Sequence, residues 1–158
     1  MKAASLPEIR KELKELNEEE LRQLVLRLGR FKKENKELLT YLLFEADYEE
    51  GFRESVIENM DAMFAEINTR NYYYVKKSVR KIMRELRKFV RYSGNKETEV
   101  VLLLHFLKKL RKMKPSITRN TVLTGLYSRT YESVVKKINA LHEDLQLDYK
   151  HELELLSQ

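Results

Sequence analysis

At 158 residues the chain is long enough for one domain with a substantial core, and its 42% hydrophobic and 35% charged residues are typical of a soluble globular protein. Its 4 glycines and 2 prolines are too few for the turns of an all-β fold, and the lack of cysteine excludes disulfides, thiolate metal ligands and a cysteine nucleophile. The N-terminal residues lack the apolar core of a signal peptide, and no apolar run reaches the ~20 residues that span a bilayer. We therefore expect a cytoplasmic protein that is not inserted in a membrane.

Charge is distributed unevenly along the chain, although the net charge is only +6. Residues 1–69 carry 11 Lys and Arg against 16 Asp and Glu, residues 70–119 carry 16 against 3, and residues 120–158 carry 4 against 6. The basic residues are thus concentrated in the middle third. This pattern indicates either a face that binds an acidic partner or a helix that neutralises its neighbours within the fold.

Capping signals predict two helices at the start of the chain. The segment Ser5-Leu6-Pro7-Glu8 has the form of a capping box and begins a helix that reaches about Leu16. Asn17 stands three residues before a glutamate and caps a second helix. We expect this second helix to end at Gly29, since glycine is a common C-terminal stop.

Two further helices follow before the basic region. The third is predicted over about residues 33–46, with four leucines facing inward at Leu38, Leu39, Leu42 and Leu43. Asp47 begins the fourth, which is acidic on its outer side through Glu50, Glu54, Glu58 and Asp61.

The second half of the chain also has helical periodicity. A fifth helix covers residues 72–92, and a sixth covers residues 97–114 and is stopped by Pro115. Beyond it, the pattern predicts a short helix through Leu126, a longer one through Leu145 and a last amphipathic turn. Seven or eight helices in one domain over residues 1–158 make an all-α fold, either a helical bundle or a HEAT-like array of paired helices.

The helix over residues 97–114 is apolar on nearly every side in its first four turns. Its apolar run is too short to cross a membrane and is followed at once by lysines and an arginine. A short helix that is apolar all round belongs inside a protein. We therefore predict that it is the buried central helix of the fold.

The fifth helix separates its apolar and basic residues onto opposite sides. Its basic residues, which we call the basic face, are Lys76, Lys77, Arg80, Lys81, Arg84, Arg87, Lys88 and Arg91. Neighbours four residues apart, such as Arg80 and Arg84, carry like charges, and each such pair costs about 0.2–0.5 kcal/mol in an isolated helix. A partner outside the helix should compensate this repulsion.

Three kinds of partner fit the basic face. A nucleic acid would place its phosphates there, and Tyr72, Tyr73 and Tyr74 would stack on unpaired bases. An acidic protein surface would serve as well. Alternatively, the acidic fourth helix neutralises the face internally, and the protein has a purely structural or scaffold role. The sequence predicts a non-enzymatic interaction module and leaves the identity of the partner and the oligomeric state open.

The segment after Pro115 is a candidate anion site. Its side chains cluster where a helix should begin, and helix N-termini attract anions. The candidate ligands are Ser116, Thr118 and Arg119. The competing interpretation, which is the more common role of such hydroxyls, is ordinary helix capping.

A small helical enzyme with a histidine-based site is the remaining alternative. Its centre would be His105 or His142. His105 lies in the apolar helix, where a core histidine is more common than a catalytic base. Glycine-rich phosphate loops, catalytic triads and complete metal-ligand sets are not recognisable, so we expect no catalytic residue, no metal and no cofactor.

Three segments together resemble an uncharacterised family of short all-helical bacterial proteins. They are residues 34–39 (ENKELL), 114–121 (KPSITRNT) and 141–146 (LHEDLQ). The resemblance implies a cytoplasmic bacterial protein and transfers no site residues. The first forty residues are also similar in pattern to the helical hairpins of HEAT-type scaffolds.

Overall fold

The structure is a computed structural model, and it describes residues 1–156. These residues form eight α-helices and no β-strand, which confirms the predicted all-α fold. The helices are α1 (Leu6–Leu13), α2 (Glu18–Phe31), α3 (Lys33–Thr40), α4 (Glu49–Ala65), α5 (Tyr72–Ser93), α6 (Lys96–Lys112), α7 (Thr121–Asn139) and α8 (Glu143–Glu154). The chain divides into two compact units, one of residues 1–44 and one that begins at residue 45. A single domain over residues 1–158 stays a prediction.

The two predicted capping boxes begin α1 and α2. The Glu8 carboxylate accepts hydrogen bonds from the backbone N–H and the hydroxyl of Ser5, both at 2.7 Å. At the next helix, the Asn17 side chain accepts from the Glu20 N–H at 2.9 Å, and the Glu20 carboxylate accepts from the Asn17 N–H at 2.8 Å. Both boxes satisfy N–H groups that the first helical turn leaves unpaired.

Gly29 does not end α2, and the sequence-based prediction is wrong at this point. The helix continues to Phe31. A Cβ atom at Gly29 would lie 2.9 Å from Cδ1 of Leu39 on α3, so the glycine allows close contact between α2 and α3. Gly29 therefore accommodates the packing of α3 on α2, and α2 remains helical at this position.

The third predicted helix changes geometry before its end. It is α-helical to Thr40 and continues as a π-helical turn over Tyr41–Glu45. A π-turn changes the rotation of the side chains that follow it relative to a regular α-helix. As a result Tyr41 is buried, whereas Leu42 and Leu43, which we predicted to face inward, are exposed.

Helix α6 is the centre of the second unit, as predicted. It packs against α4, α5, α7 and α8. Eight of its side chains are buried, namely Thr98, Val100, Leu102, Leu103, Leu104, Phe106, Leu107 and Leu110. The helix ends at Lys112 and not at residue 114, because Met113 already has an extended backbone before Pro115.

The burial of one side of α5 fixes the orientation of this helix about its own axis. The buried residues are Val75, Val79, Ile82, Met83 and Leu86. Asn71 caps its N-terminus by accepting from the N–H groups of Tyr73 and Tyr74, at 3.0 and 3.2 Å. Its C-terminus stops at Gly94, whose φ of +64° lies in the left-handed region that glycine tolerates. These constraints turn the basic face away from the core.

Helix α7 is one continuous helix over Thr121–Asn139, and the predicted division into a short and a long piece is wrong. Asn120 caps it by accepting from the N–H groups of Val122 and Leu123, each at 3.2 Å. Gly125, although a weak helix former, lies within it beside the Arg129 side chain, one turn further along. The packing of α7 on α6 outweighs this local preference.

A polar network links α4, α6 and α8. Arg53 on α4 donates to the Thr98 hydroxyl at 2.8 Å and to the Glu97 carboxylate at 3.0 Å. Tyr149 on α8 donates to the other Glu97 oxygen at 2.6 Å. The Thr98 hydroxyl donates to the Glu49 carboxylate at 2.5 Å. Each polar group is partly or fully buried and has a partner, so the network fixes the relative positions of the three helices.

Candidate basic groove

The eight residues of the basic face lie on the outer side of α5. Lys76 and Lys88 are half-buried, and the remaining six are exposed: Lys77, Arg80, Lys81, Arg84, Arg87 and Arg91. Their common orientation follows from the buried side of the helix, which faces the core of the second unit.

Seven of these eight side chains have no ion pair with any residue in the range 1–156. Lys88 is the exception, with its Nζ 2.8 Å from the carboxylate of Glu85 on the same helix and 5.0 Å from the ring centroid of Phe89. The described part of the protein therefore leaves most of the charge of the basic face uncompensated.

Four acidic residues of α4 that the sequence offers as internal partners form no ion pair with the basic face, namely Glu50, Glu54, Glu58 and Asp61. Asp61 is directed to α6, where its Oδ1 lies 2.6 Å from His105 Nε2 and 3.3 Å from Lys109 Nζ. Glu50, Glu54 and Glu58 are exposed and have no ion pair with a residue that the structure describes. Helix α4 packs on α5 through its apolar side, as in the edge-to-face contact of Phe52 with Phe89.

Five cations of the basic face meet in one groove of about 630 Å³. The cations that line it, which we call the groove cations, are Lys76, Lys77, Arg80, Arg84 and Arg87. Tyr73 and Met83 of α5 and Leu126 of α7 complete the lining. Helices α5 and α7 both pack on α6, and the groove lies between them. Its described lining contains five cations, three side chains with apolar surface and no carboxylate.

The three tyrosines at the start of α5 have different surroundings. The Tyr72 hydroxyl donates to the backbone carbonyl of Ser116 at 2.7 Å, which fixes this half-buried side chain against the turn before α7. Tyr73 is 65% exposed and lines the groove, and Tyr74 is 42% exposed beside it. The rings of Tyr73 and Tyr74 meet edge to face with centroids 5.4 Å apart. Of the three predicted stacking residues, only Tyr73 lies in the groove.

Two of the three candidate anion ligands after Pro115 lie together, and the third does not join them. The Ser116 hydroxyl accepts from the Thr118 N–H at 3.3 Å and lies 2.9 Å from the Thr118 hydroxyl, as a capping side chain does. Both residues line a second cavity of about 660 Å³ between the end of α6 and α7, whereas Arg119 is exposed and is not part of that lining. In this cavity Arg111 and Tyr127 donate to the Leu156 carbonyl.

The two histidines considered for an active site have structural partners. His105 is paired with Asp61 as described above. The His142 Nδ1 accepts from the Asp144 N–H at 3.4 Å and caps α8. Across residues 1–156, no group of three or more His, Asp or Glu side chains could hold a metal ion, and no helix is long and apolar enough to cross a membrane.

The sequence identifies the cations and Tyr73 but not the opposite wall of the groove. Leu126 belongs to the apolar pattern of α7 and reads as an ordinary core residue. Met83 is predicted as part of the buried side of α5, and it is buried while also touching the groove. Only the packing of two distant helices on α6 shows that these residues lie beside the groove cations, and no local motif indicates it.

Comparison of the chain with models of known protein families, with curated proteins and with solved structures finds no significant match. The geometry of the basic groove is therefore the main basis for assigning a function.

Proposed function

We propose that this protein is a non-enzymatic helical interaction module of the cytoplasm that binds an acidic partner in the groove between α5 and α7. The observation that carries the proposal is the convergence of five cations without an ion pair in one groove whose described lining has no carboxylate. An array of this kind focuses a positive potential and attracts anionic ligands.

The internal energetics of α5 support the same proposal. The pairs Lys76/Arg80 and Arg80/Arg84 stand four residues apart on one helix, and such like-charged pairs are mutually repulsive. Within residues 1–156 no carboxylate lies close enough to the groove cations to offset this repulsion by an ion pair. Binding of a polyanion would remove this repulsion, and the free energy gained would increase the affinity.

A histidine-based enzyme has less support from the geometry. His105 is engaged with Asp61 between two packed helices, and His142 caps a helix. Neither histidine lines the basic groove or the second cavity. Catalysis at either residue would also require nearby groups to bind the substrate and to stabilise the transition state. We therefore propose a binding role.

Charge reversal inside and outside the groove tests the proposal. Arg80→Glu with Arg84→Glu reverses two groove cations, and Lys81→Glu with Arg91→Glu reverses two exposed cations of the same helix that do not line the groove. Both variants have the same net charge. The probes are a labelled polyglutamate, a single-stranded DNA and a duplex DNA, each titrated at several salt concentrations.

We expect the wild-type protein to bind at least one probe at low salt. The variant with the reversed groove should lose that binding, and the control variant should retain most of it. The proposal fails if no probe binds at about 50 mM salt. It also fails if both variants lose affinity equally, because the effect would then come from net charge and not from the groove. Circular dichroism establishes that each variant has its native helix content.

A further inference from the structure

We infer that the partner of the basic groove is a single-stranded nucleic acid, held through its phosphates by the groove cations and through a base by Tyr73. This inference rests on the proposed function and names the chemical class of the partner. It follows from three properties of the groove: the direction in which its polar groups hydrogen-bond, the spacing of its cations and the position of one exposed aromatic ring.

The first property is that the charged side chains of the lining can only donate hydrogen bonds. Lys76, Lys77, Arg80, Arg84 and Arg87 carry no acceptor atoms. A ligand that satisfies them must offer acceptors along its whole length. A phosphate backbone does so at every repeat, and guanidinium groups match phosphate oxygens through paired hydrogen bonds.

The second property is the regular spacing of the groove cations. Arg80, Arg84 and Arg87 follow one another at intervals of four and three residues on the same helix face, which places neighbouring side chains about 5–6 Å apart. The cations from residue 76 to residue 87 extend along about 16 Å of helix. This arrangement suits a linear polymer with one negative charge per repeat.

The third property is the exposed ring of Tyr73 at one end of the row of cations. It is 65% exposed, and within residues 1–156 its hydroxyl has no hydrogen-bond partner. Basic grooves with aromatic platforms are characteristic of proteins that bind single strands, because every base has a face that can stack. In a duplex the bases are already stacked on each other, so Tyr73 would have no base face to contact.

An acidic amphipathic peptide fits the groove less well. Such a helix binds by inserting apolar side chains, at intervals of three and four residues, into an apolar floor. The apolar floor here consists of Met83 and Leu126, and Met83 is only 4% exposed. The lining therefore offers few aliphatic side chains that could form pockets for the anchors of a peptide.

The salt dependence of binding gives the first quantitative test. Five phosphate contacts on a single strand predict a slope of about −3.5 for log K against log salt, which corresponds to about a 100-fold loss of affinity between 50 and 200 mM. The probe is a labelled twelve-nucleotide oligothymidylate. Arg80→Gln with Arg84→Gln should reduce the loss over the same salt range to about 20-fold. Lys81→Gln with Arg91→Gln removes the same charge outside the groove and should keep the wild-type slope.

Substitution of Tyr73 gives the second test. We expect Tyr73→Ala to weaken binding of the oligothymidylate by about tenfold and to leave binding of a twelve-base-pair duplex unchanged. Tyr73→Phe keeps the ring and should keep the affinity. Tyr48→Ala removes another exposed tyrosine, outside the groove lining, and is the matched control. Tyr73 and Tyr48 are both exposed, and circular dichroism checks that each variant is folded.

The outcomes separate this inference from the proposed function. If the duplex binds as tightly as the oligothymidylate and Tyr73→Ala affects neither, the single-strand inference is overturned and the groove function stands. If polyglutamate binds in the groove and the oligothymidylate does not, the partner is an acidic protein and the inference is again overturned. If no probe binds at 50 mM salt, both proposals are overturned. Tighter binding of the single strand, with the predicted effects of the Tyr73 variants, supports both.

Discussion

The carboxylate of Asp61 lies 2.6 Å from Nε2 of His105, across the contact between α4 and α6. The same oxygen is 3.3 Å from Nζ of Lys109, one turn further along α6. This acidic residue of α4 is thereby directed to α6 and away from the basic face. The contact explains why Asp61 does not pair with the basic face, whereas Glu50, Glu54 and Glu58 are exposed and have no ion pair among the described residues.

The first prediction concerns the pH dependence of this contact. Burial on its own raises the pKa of Asp61, but hydrogen bonds from His105 and Lys109 outweigh burial, and the pKa lies below its ordinary value. Because the folded-state pKa is depressed, the stabilisation is fully present above the unfolded pKa of about 3.9. It is lost as the pH falls through the folded-state pKa.

We expect Asp61→Asn to lower the free energy of unfolding at pH 7 by about 0.5 kcal/mol, since the side chain is partly exposed. The difference between wild type and variant should shrink below about pH 4. Urea denaturation between pH 3 and pH 7 measures it. Glu58→Gln, at an exposed position of the same helix without an ion pair among the described residues, is the control and should show no such dependence. A difference for Asp61→Asn that stays constant over this range would contradict the prediction.

The second prediction is that the basic face reduces stability. Arg84 stands four residues from Arg80 and three from Arg87, neither of which has an ion pair among the described residues, so Arg84→Gln removes two like-charged contacts. We expect the free energy of unfolding to rise by about 0.5 kcal/mol at low ionic strength and the gain to vanish in 1 M salt, where charges are screened within about 3 Å. Urea denaturation at the two salt concentrations measures the change.

Lys137→Gln is the control for that experiment, and we expect it to change stability in the opposite direction. Lys137 Nζ lies 2.8 Å from the carboxylate of Glu99, so its removal should lower stability at low salt. If Arg84→Gln and Lys137→Gln both lower stability, the basic face is compensated in the folded protein, and the argument from uncompensated repulsion is wrong.

The sequence predicts those parts of the fold and of the groove that depend on local periodicity and capping. The buried side of α5 and its basic face follow from the helical period of 3.6 residues per turn, and the predicted caps Ser5 and Asn17 begin α1 and α2. The central position of α6 follows from its apolar residues on nearly every side. These features require no information from distant parts of the chain.

Other features depend on contacts between distant residues or on small changes of backbone geometry. The hydrogen bond from Tyr72 to Ser116 joins positions 44 residues apart. It gives a structural role to a tyrosine that the sequence favours for stacking on bases. Leu126 enters the groove because α7 packs on α6 beside α5. The π-turn at Tyr41 changes which side chains are buried without any residue that signals it. None of these could be derived from local patterns.

The third prediction concerns the buried network around Glu97. Hydrogen bonds from Tyr149 and Arg53 lower the pKa of Glu97 despite its partial burial, and burial together with the Glu97 contact raises the pKa of Tyr149. Tyr149→Phe removes one donor to a charged acceptor, so we expect the free energy of unfolding to fall by about 1.5–3 kcal/mol at pH 7.

The loss caused by Tyr149→Phe should diminish as the pH falls through the depressed folded-state pKa of Glu97, because the protonated carboxyl no longer needs a charge-stabilising donor. Thermal or urea denaturation at pH 3 to pH 7 measures this. Tyr73→Phe removes an exposed hydroxyl without a described partner and should leave stability unchanged. Equal effects of the two substitutions would show that the hydroxyl of Tyr149 contributes nothing to the fold.

The last prediction tests the central place of α6. Leu104 is 1% exposed, so Leu104→Lys places an ammonium group without a partner among apolar side chains, at a cost of several kcal/mol out of a typical total of about 5–15. We expect the variant to lose cooperative thermal unfolding by circular dichroism, and to lose oligothymidylate binding together with its fold. Leu147→Lys introduces the same side chain at a position that is 75% exposed and should change stability by less than about 0.5 kcal/mol. A Leu104→Lys protein that unfolds cooperatively at the wild-type temperature would show that α6 does not form the core on which α5 and the basic groove depend.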